Sequence, residues 1–226
     1  MVIDQKIRIL LADDHQLICI ALRKIFDECP DMEVVAEAND GEQAVKLAED
    51  LKPDVIIMDI SMPKLNGLEA TKIIKSSNSD VLILVLTVHS DEEHILGIFD
   101  AGADGYLTKN GLGIGIVHSV RDLVTGKTVL SADILKRLIS HSQRYSASST
   151  PTVELIDNSR ITPREQEVLL LAARGMGNKD IAVSLKVSPL TVKNYFVDIF
   201  AKLGARSRTE AVIAGLKIGI INLKDL

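Results

Sequence analysis

Apolar residues fall along the first 125 positions in short, unbroken runs separated by longer amphipathic stretches. The runs are Ile7–Ala12, Glu33–Ala38, Val55–Met58, Val81–Leu86 and Gly105–Leu107, and each opens one strand-plus-helix unit. Val55-Ile-Ile-Met and Val81-Leu-Ile-Leu-Val-Leu are apolar at consecutive positions rather than alternate ones. Strands buried on both faces have that pattern, as in a parallel sheet flanked by helices. Helix signals lie between the runs. Asp40-Gly-Glu-Gln opens a stretch with Ala44, Leu47, Ala48 and Leu51 on one face, and Ser90-Asp91 opens another with Ile95, Phe99 and Ala103 spaced by fours. Five such units predict a doubly wound, flavodoxin-like α/β domain over residues 1–127.

The pattern then changes. A short helix is predicted around Ser131–His141, followed by the Ser/Thr-rich stretch Ser142-Gln-Arg-Tyr-Ser-Ala-Ser-Ser-Thr-Pro-Thr, too polar to pack. Residues 128–159 therefore read as a linker, flexible from 142 onward. Residues 160–226 show helical periodicity only and predict a small all-α domain of four helices. Thr162-Pro163-Arg-Glu165 is a capping box with proline at the first helical position, ahead of the apolar stripe Val168, Leu169, Leu171 and Ala172. Gly175 and Gly177 allow a tight turn into a short helix, Asn178–Leu185, and Ser188-Pro189 starts a longer one through Leu203. Gly204 stops it, and Ser207–Gly219 forms the last. Two helices joined by a tight turn, the second capped by Ser-Pro, suit a helix-turn-helix.

Charge sharpens this division. Residues 160–226 carry 11 Lys/Arg against 6 Asp/Glu, a balance of +5, whereas residues 1–159 carry 15 against 25, a balance of −10. An acidic front and a basic back imply two domains with different partners, the basic one suited to a polyanion such as DNA. No apolar run approaches the roughly 18 residues of a membrane span, and the N-terminus lacks the layout of a secretion signal. Cys19 and Cys29 have no His or Cys at metal-ligand spacing and read as ordinary thiols. These features predict a soluble, cytoplasmic protein with no membrane partner.

The candidate chemistry gathers at strand ends. In a parallel α/β sheet, binding groups collect outside the carboxyl ends of the strands. Asp13-Asp14 follows the first strand, Asp59 ends the third, Thr87 ends the fourth and Lys109 lies just beyond the fifth. Clustered carboxylates favour a hard divalent cation, for which Mg²⁺ is the natural occupant. An Asp in such a site can attack phosphorus to form an acyl phosphate, and the ammonium and metal would neutralise the phosphoryl oxygens. Thr87 can donate a hydrogen bond to the attached group. His15, beside the Asp pair, could be a ligand but reads more readily as a helix-start or surface residue, and His89, His94 and His118 read as surface residues. On the second helix of the helix-turn-helix, the groove-facing positions are Thr191, Lys193, Asn194 and Val197, and Lys179 on the helix before it completes the candidate set. Lys193 can meet guanine or phosphate, and Asn194 matches both edge groups of adenine.

Asp13-Asp14, Asp59-Ile-Ser-Met-Pro with Asn66-Gly67, Thr87, and Gly105-Tyr-Leu-Thr-Lys109 resemble the receiver domain of two-component response regulators. Thr162-Pro-Arg-Glu-Gln-Glu-Val-Leu, Gly177-Asn-Lys-Asp-Ile-Ala, Thr191-Val-Lys and Lys202-Leu-Gly-Ala-Arg-Ser-Arg-Thr-Glu-Ala resemble the LuxR-type helix-turn-helix. Together the chain is similar to NarL/FixJ-family response regulators from end to end. The resemblance implies Asp59 as phosphoacceptor, Asp14, Asp59 and the Ser61 carbonyl as Mg²⁺ ligands, and Asp13 acting through the metal's water. It implies Lys109 as the phosphate-pairing lysine and Thr87 with Tyr106 as a switch pair, the ring turning inward as the hydroxyl moves to the phosphate. It also implies a sensor histidine kinase as phosphodonor, a homodimer through Ser207–Gly219 when phosphorylated, and promoter DNA with two half-sites as target. RNA polymerase is a further candidate partner, and the receiver would catalyse only its own phosphorylation and dephosphorylation. Three residues depart from the family's pattern: Asn110 in place of proline, Gly177 in place of a Ser cap, and Tyr195 in place of His.

Rival chemistries fit less well. A phosphatase with an Asp nucleophile would want a second acid where Ser61 stands, and no glycine-rich phosphate loop follows the first strand. A regulator that ignores phosphate leaves the acidic residues unexplained, and a sensor of a small lipid would need a ligand cavity in their place.

Overall fold

The computed structural model describes residues 6–87, 101–109, 114–130 and 161–221. The predicted helices from Ser90 and around Ser131–His141, the 142–159 linker, Asn110, His89 and His94 lie outside these. The front half alternates strand and helix: β1 Ile7–Ala12, α1 Gln16–Asp27, β2 Met32–Ala38, α2 Gly41–Leu51, β3 Val55–Asp59, α3 Gly67–Ser77, β4 Leu82–Thr87, β5 Gly105–Thr108, α4 Ile114–Val124 and β6 Val129–Leu130. All pairings are parallel, in the order β2-β1-β3-β4-β5-β6. The order reverses at β1, the switch point of a doubly wound sheet. One strand goes beyond expectation: β6 extends the sheet past residue 127 into the segment read as linker. Its two residues are too few to leave a periodic signal.

Burial follows the unbroken apolar runs. Every residue of β3 is buried, and β1 is buried from Ile9 onward, whereas β2 at the sheet edge exposes both Glu33 and Glu37. One packed cluster lies on the α2–α3 face, with Leu10, Ile56, Met58, Ile83 and Tyr106; the other lies on the α1–α4 face, with Ile9, Leu11, Phe26, Ile57 and Leu123. The helices start where their caps say. Asp40 accepts from the Gln43 amide at 2.8 Å and Asn66 from the Glu69 amide at 2.9 Å.

The back half holds α5 Pro163–Ala173, α6 Asn178–Leu185, α7 Pro189–Leu203 and α8 Arg208–Lys217 around Val168, Leu169, Ile181, Val192, Phe196, Ile199 and Ala211. The Thr162 capping box forms as the sequence predicts, and Ser188 accepts from the Thr191 amide at 3.0 Å. Gly177 has no side chain to cap α6; instead Asp180 reaches back to the Gly177 amide at 3.3 Å. Tyr195 is half-buried, packs at the edge of the helical core and interacts with Arg164, which accounts for an aromatic ring at that position.

A charge pair between buried Glu165 and half-buried Lys202 staples this domain. Lys202 Nζ donates to both oxygens of Glu165, at 2.6 and 2.7 Å, and the Thr162 amide donates to Oε2 at 2.8 Å. Burial would raise the Glu165 carboxyl, but Lys202 and the Thr162 amide outweigh it and hold it below its ordinary 4.5. Its stabilising contribution is thus present above that value and lost as pH falls through the depressed one. Glu165→Gln should destabilise the helical domain by about 2 kcal/mol, since Lys202 keeps its charge without its partner. Hydrogen exchange in α5 and α7 measures this, and the variant should also lose part of the wild-type's decline in protection below pH 4.5. Equal protection in the two proteins across that range would refute the staple.

Candidate functional site

Sheet register assembles the acidic residues. Ala12 of β1 pairs with Met58 of β3, so the next residues, Asp13 and Asp59, leave the sheet side by side. Asp59 aligns with Leu86 of β4, placing Thr87 one step further, and Thr87 aligns with Thr108, so Lys109 follows directly. Residues 13, 59, 87 and 109, distant in sequence, thus share one edge because parallel strands all end on the same side. Thr87 is described only as a strand residue.

At the centre, Lys109 Nζ lies 2.7 Å from Asp13 Oδ2 and 3.0 Å from Asp59 Oδ1. All three side chains are buried. Asp59 Oδ2 is buried with no hydrogen-bond partner, and Asp13 Oδ2 has Lys109 close by but outside hydrogen-bond geometry. Burial pushes the Asp59 carboxyl above its ordinary value, Lys109 pulls it back in part, and the Asp13 charge adds to the rise. For Lys109, burial opposes the charge, but the two carboxylates of Asp13 and Asp59 beside it outweigh burial and raise the ammonium. Lys109 is therefore cationic at any physiological pH.

Asp14 is exposed at the mouth of the site, and Ser61 sits on the exposed loop two residues beyond Asp59. His15 joins them, a possibility the sequence ranks below a helix-start or surface residue. Its Nδ1 lies 2.7 Å from Asp14 Oδ1, and Asp13, Asp14, His15 and Asp59 offer ligand atoms all within 4.8 Å of one another. The signal was present, a His adjoining two Asp, but a histidine at a helix start is usually only solvated. Three carboxylates against one ammonium leave two negative charges, and the unpartnered Asp59 oxygen faces that excess. The donor set fits a hard divalent cation. Beneath it, Cys19 is buried with its Sγ 3.5 Å from the Asp13 carbonyl, and burial followed by the Asp13 charge pushes the thiol up to about 11, which leaves it inert. Cys29 is a free, half-buried thiol, and His118 is exposed.

The loop after β3 is fastened on both sides. Lys64 Nζ reaches Asp40 Oδ2 at 2.6 Å, tying the loop to the start of α2. Gly67 begins α3 directly over Asp59: a Cβ there would lie 1.8 Å from the Asp59 carbonyl oxygen. Tyr106, the other switch candidate, is fully buried and packed with Ala103 and Val85, so its ring already occupies the inward position.

The second candidate surface is α7. Lys193, Asn194 and Val197 are exposed, Val197 by 59%, and lie within two turns of the helix start; Lys179 is exposed on α6. Thr191 differs: it is half-buried, and its Oγ1 is 2.8 Å from Ser188 Oγ within the cap. Leu190 and Val183 are also exposed apolar side chains on these two helices. Among the described residues, no helix is long and apolar enough to cross a membrane.

Comparison with known proteins identifies both halves of the chain. Residues 9–119 match the response regulator receiver domain, and residues 159–214 match the bacterial regulatory proteins of the luxR family. The chain is 35% identical to the transcriptional regulatory protein DegU of Brevibacillus brevis over 98% of both chains. It is 34% identical to the transcriptional regulatory protein LiaR of Bacillus subtilis, over 96% of this chain and all of the other. Among solved structures it is similar to the response regulator ChrA of a heme-sensing two-component system, with 31% identity, TM-score 0.51, and 96% and 99% of the two chains covered. It is also similar to RcsB in a structure of two RcsB dimers bound to two parallel DNAs, with 25% identity, TM-score 0.54, and 92% and 97% covered.

The contact over Asp59 yields a direct test. Gly67→Ala forces either β3 or α3 to move, which should cost about 3 kcal/mol and displace the site. Thermal unfolding, together with the amide resonances of Asp59 and Lys109, reports both effects. Wild-type stability with unmoved resonances would show that the close approach does not constrain the site.

Proposed function

Because the chain belongs to the LuxR-type response regulators, DNA-binding regulators of two-component systems, we propose that it is switched by Mg²⁺-dependent transfer of a phosphoryl group to Asp59 from a sensor histidine kinase. The observation that carries this reading is the buried Asp59 carboxylate, with one oxygen on Lys109 and the other without a partner, in a site two negative charges in excess. Asp14, Asp59 and the Ser61 carbonyl would hold Mg²⁺, with Asp13 reaching it through water. Bound there, the ion supplies positive charge against the phosphoryl oxygens.

An Asp59 oxygen attacks phosphorus as the P–N bond of the phosphohistidine breaks, and the electron pair departs on the imidazole nitrogen, which takes up a proton. Lys109, already cationic, shifts its hydrogen bond from Asp59 to a phosphoryl oxygen and offsets the added charge. Thr87 at the end of β4 bonds the attached group, and with Tyr106 forms a two-state element. Water hydrolyses the acyl phosphate slowly, so the receiver turns over only its own modification and no metabolite. The kinase and the DNA place this work in the cytoplasm, with RNA polymerase as a further partner on the promoter.

On DNA, α7 reads the major groove with Lys193, Asn194 and Val197, and Lys179 contacts the backbone. Thr191, held in its own cap, positions the helix start more than it reads bases. The resemblance assigns α8 to the dimer contact, and RcsB binds DNA as dimers, so two half-sites are expected.

Incubation with acetyl phosphate and Mg²⁺ should label the parent, and Asp59→Asn or chelation should abolish labelling; label at full level on the Asn variant would reject Asp59. Selection of bound sequences from a random pool addresses the output. Asn194→Ala should lose about 1–3 kcal/mol of preference at one base pair. Lys193→Ala, if its partner is phosphate, should weaken all sequences about equally and lower the salt dependence by roughly one counterion. A base preference unaltered by Asn194→Ala removes that residue from the reading set, and a pool enriched in single half-sites counts against the dimer.

A further inference from the structure

A helix on the outside of a small domain turns apolar side chains to the core and charged ones to solvent. α7 follows the first half of that rule and breaks the second. Its core side is Val192, Phe196 and Ile199, all buried. With successive residues about 100° apart around the axis, the line opposite them runs through Leu190, Asn194, Val197 and Ala201. All four are exposed, and their i, i+4, i+7, i+11 spacing sets them in one row. None of the four is charged. Lys193 stands on one side of the row and Asp198 on the other, both exposed.

Leu190 is 67% exposed and Val197 59%, so most of each side chain meets solvent. A single exposed leucine needs no explanation. Two branched apolar side chains on either side of a carboxamide, along the outermost line of one helix, make a surface of defined chemistry. The Ser188 cap orders the first turn, so Leu190 projects from a fixed backbone and not a frayed one. In the major groove only thymine offers a methyl group, and only adenine offers the adjacent acceptor and donor that a carboxamide meets together. The charged side chains that favour guanine or cytosine do not lie on the row. The domain carries 11 Lys/Arg against 6 Asp/Glu, with Lys179 and Lys193 exposed on α6 and α7. That balance directs the row to a polyanion and not to an apolar protein face.

We infer that Leu190 and Val197 read thymine methyl groups on either side of the adenine that Asn194 meets, so that each half-site is built of A·T pairs where α7 enters it. This rests on the reading of α7 as the major-groove helix given above, and it adds Leu190 to the groove-facing set as a specificity residue. At about 1.5 Å of rise per residue, Leu190 and Val197 are about 10 Å apart along the axis, or about three base-pair steps of about 3.4 Å. Asn194 falls between them. Lys193, off the row, is left to a phosphate and not to guanine.

Uracil tests this, because it lacks only the 5-methyl group of thymine and keeps every hydrogen-bonding group. The protein is the full chain treated with acetyl phosphate. The DNA is the sequence it selects from a random pool, with each thymine replaced by uracil in turn. Parent binding should weaken about fourfold at two positions in each half-site, the loss expected when one methyl group is no longer covered. Leu190→Ala should abolish the penalty at one position and Val197→Ala at the other, about three steps away. On its own uracil DNA each variant should bind as the parent does. Both side chains are exposed, so neither substitution touches the core. Val183→Ala removes a still more exposed apolar side chain, on α6 and off the row, and should leave both penalties intact. Equal parent affinity for thymine and uracil at every position overturns the inference. A penalty that Leu190→Ala leaves untouched, or that Val183→Ala removes, overturns it too, since other residues would then hold the methyl groups. Unchanged discrimination in Leu190→Ala with lost self-association would make the row a protein contact and has the same consequence. A parent that selects no sequence rejects the DNA-reading function itself, whereas sequence-specific binding blind to the methyl groups rejects only this inference.

Discussion

Burying two carboxylates and an ammonium beside a third carboxylate sets the terms for the rest of this molecule. Lys109 answers one of the charges of Asp13 and Asp59, and among the described residues no second ammonium or guanidinium answers the remainder. Low-dielectric surroundings make that imbalance costly and make any added cation or anion there a large perturbation. A site so poised suits a divalent ion, and a phosphoryl group added there would require its cation contacts to rearrange. The sheet is what sustains the imbalance: parallel strands with both faces covered hold the three groups at a fixed edge whatever their mutual repulsion.

The same strand that delivers Lys109 connects the site to the other domain. β5 has only four residues: Gly105 begins it after the Lys75-anchored Asp104, Tyr106 packs inside it, and Lys109 follows its end. A short, hydrogen-bonded strand transmits a shift at one end to the other, because packed interiors yield by discrete rearrangement and not by gradual compression. Serine and threonine hydroxyls at the start of α8 sit on backbone carbonyls just upstream of that strand. Such bonds are individually modest, while Lys75–Asp104 holds the receiver side of the contact in place.

Most of the architecture was legible along the chain. The unbroken apolar runs of β3 and β4 gave a buried parallel sheet, since only strands covered on both faces avoid alternation. Thr162, Ser188 and Ser207 marked helix starts because their hydroxyls satisfy amides that a helix leaves unpaired. The acidic set at the strand ends was legible for the same reason: topology alone sends those ends to one edge. β6 was missed because two residues carry no period, and His15 ranked as a helix-start or surface residue because its adjacency to Asp14 gave no hint of its side-chain direction. Thr191 was read as base-facing, and its contact with Ser188 in the cap, which no pattern of spacing shows, came only from the structure.

The sequence by itself therefore determined the two domains, their secondary structure and the identity of the charged groups, all of which follow from local patterning and from the common direction of parallel strands. Only the tertiary structure decided how those charges are shared, with Lys109 between Asp13 and Asp59 and one Asp59 oxygen left over, because distances of 3 Å depend on sheet register and not on spacing along the chain. It alone decided that Gly177, Ser207 and Thr209 face the receiver. Contacts between residues about a hundred positions apart leave no period in a sequence, and a glycine shows its purpose only when the backbone that approaches it is in place.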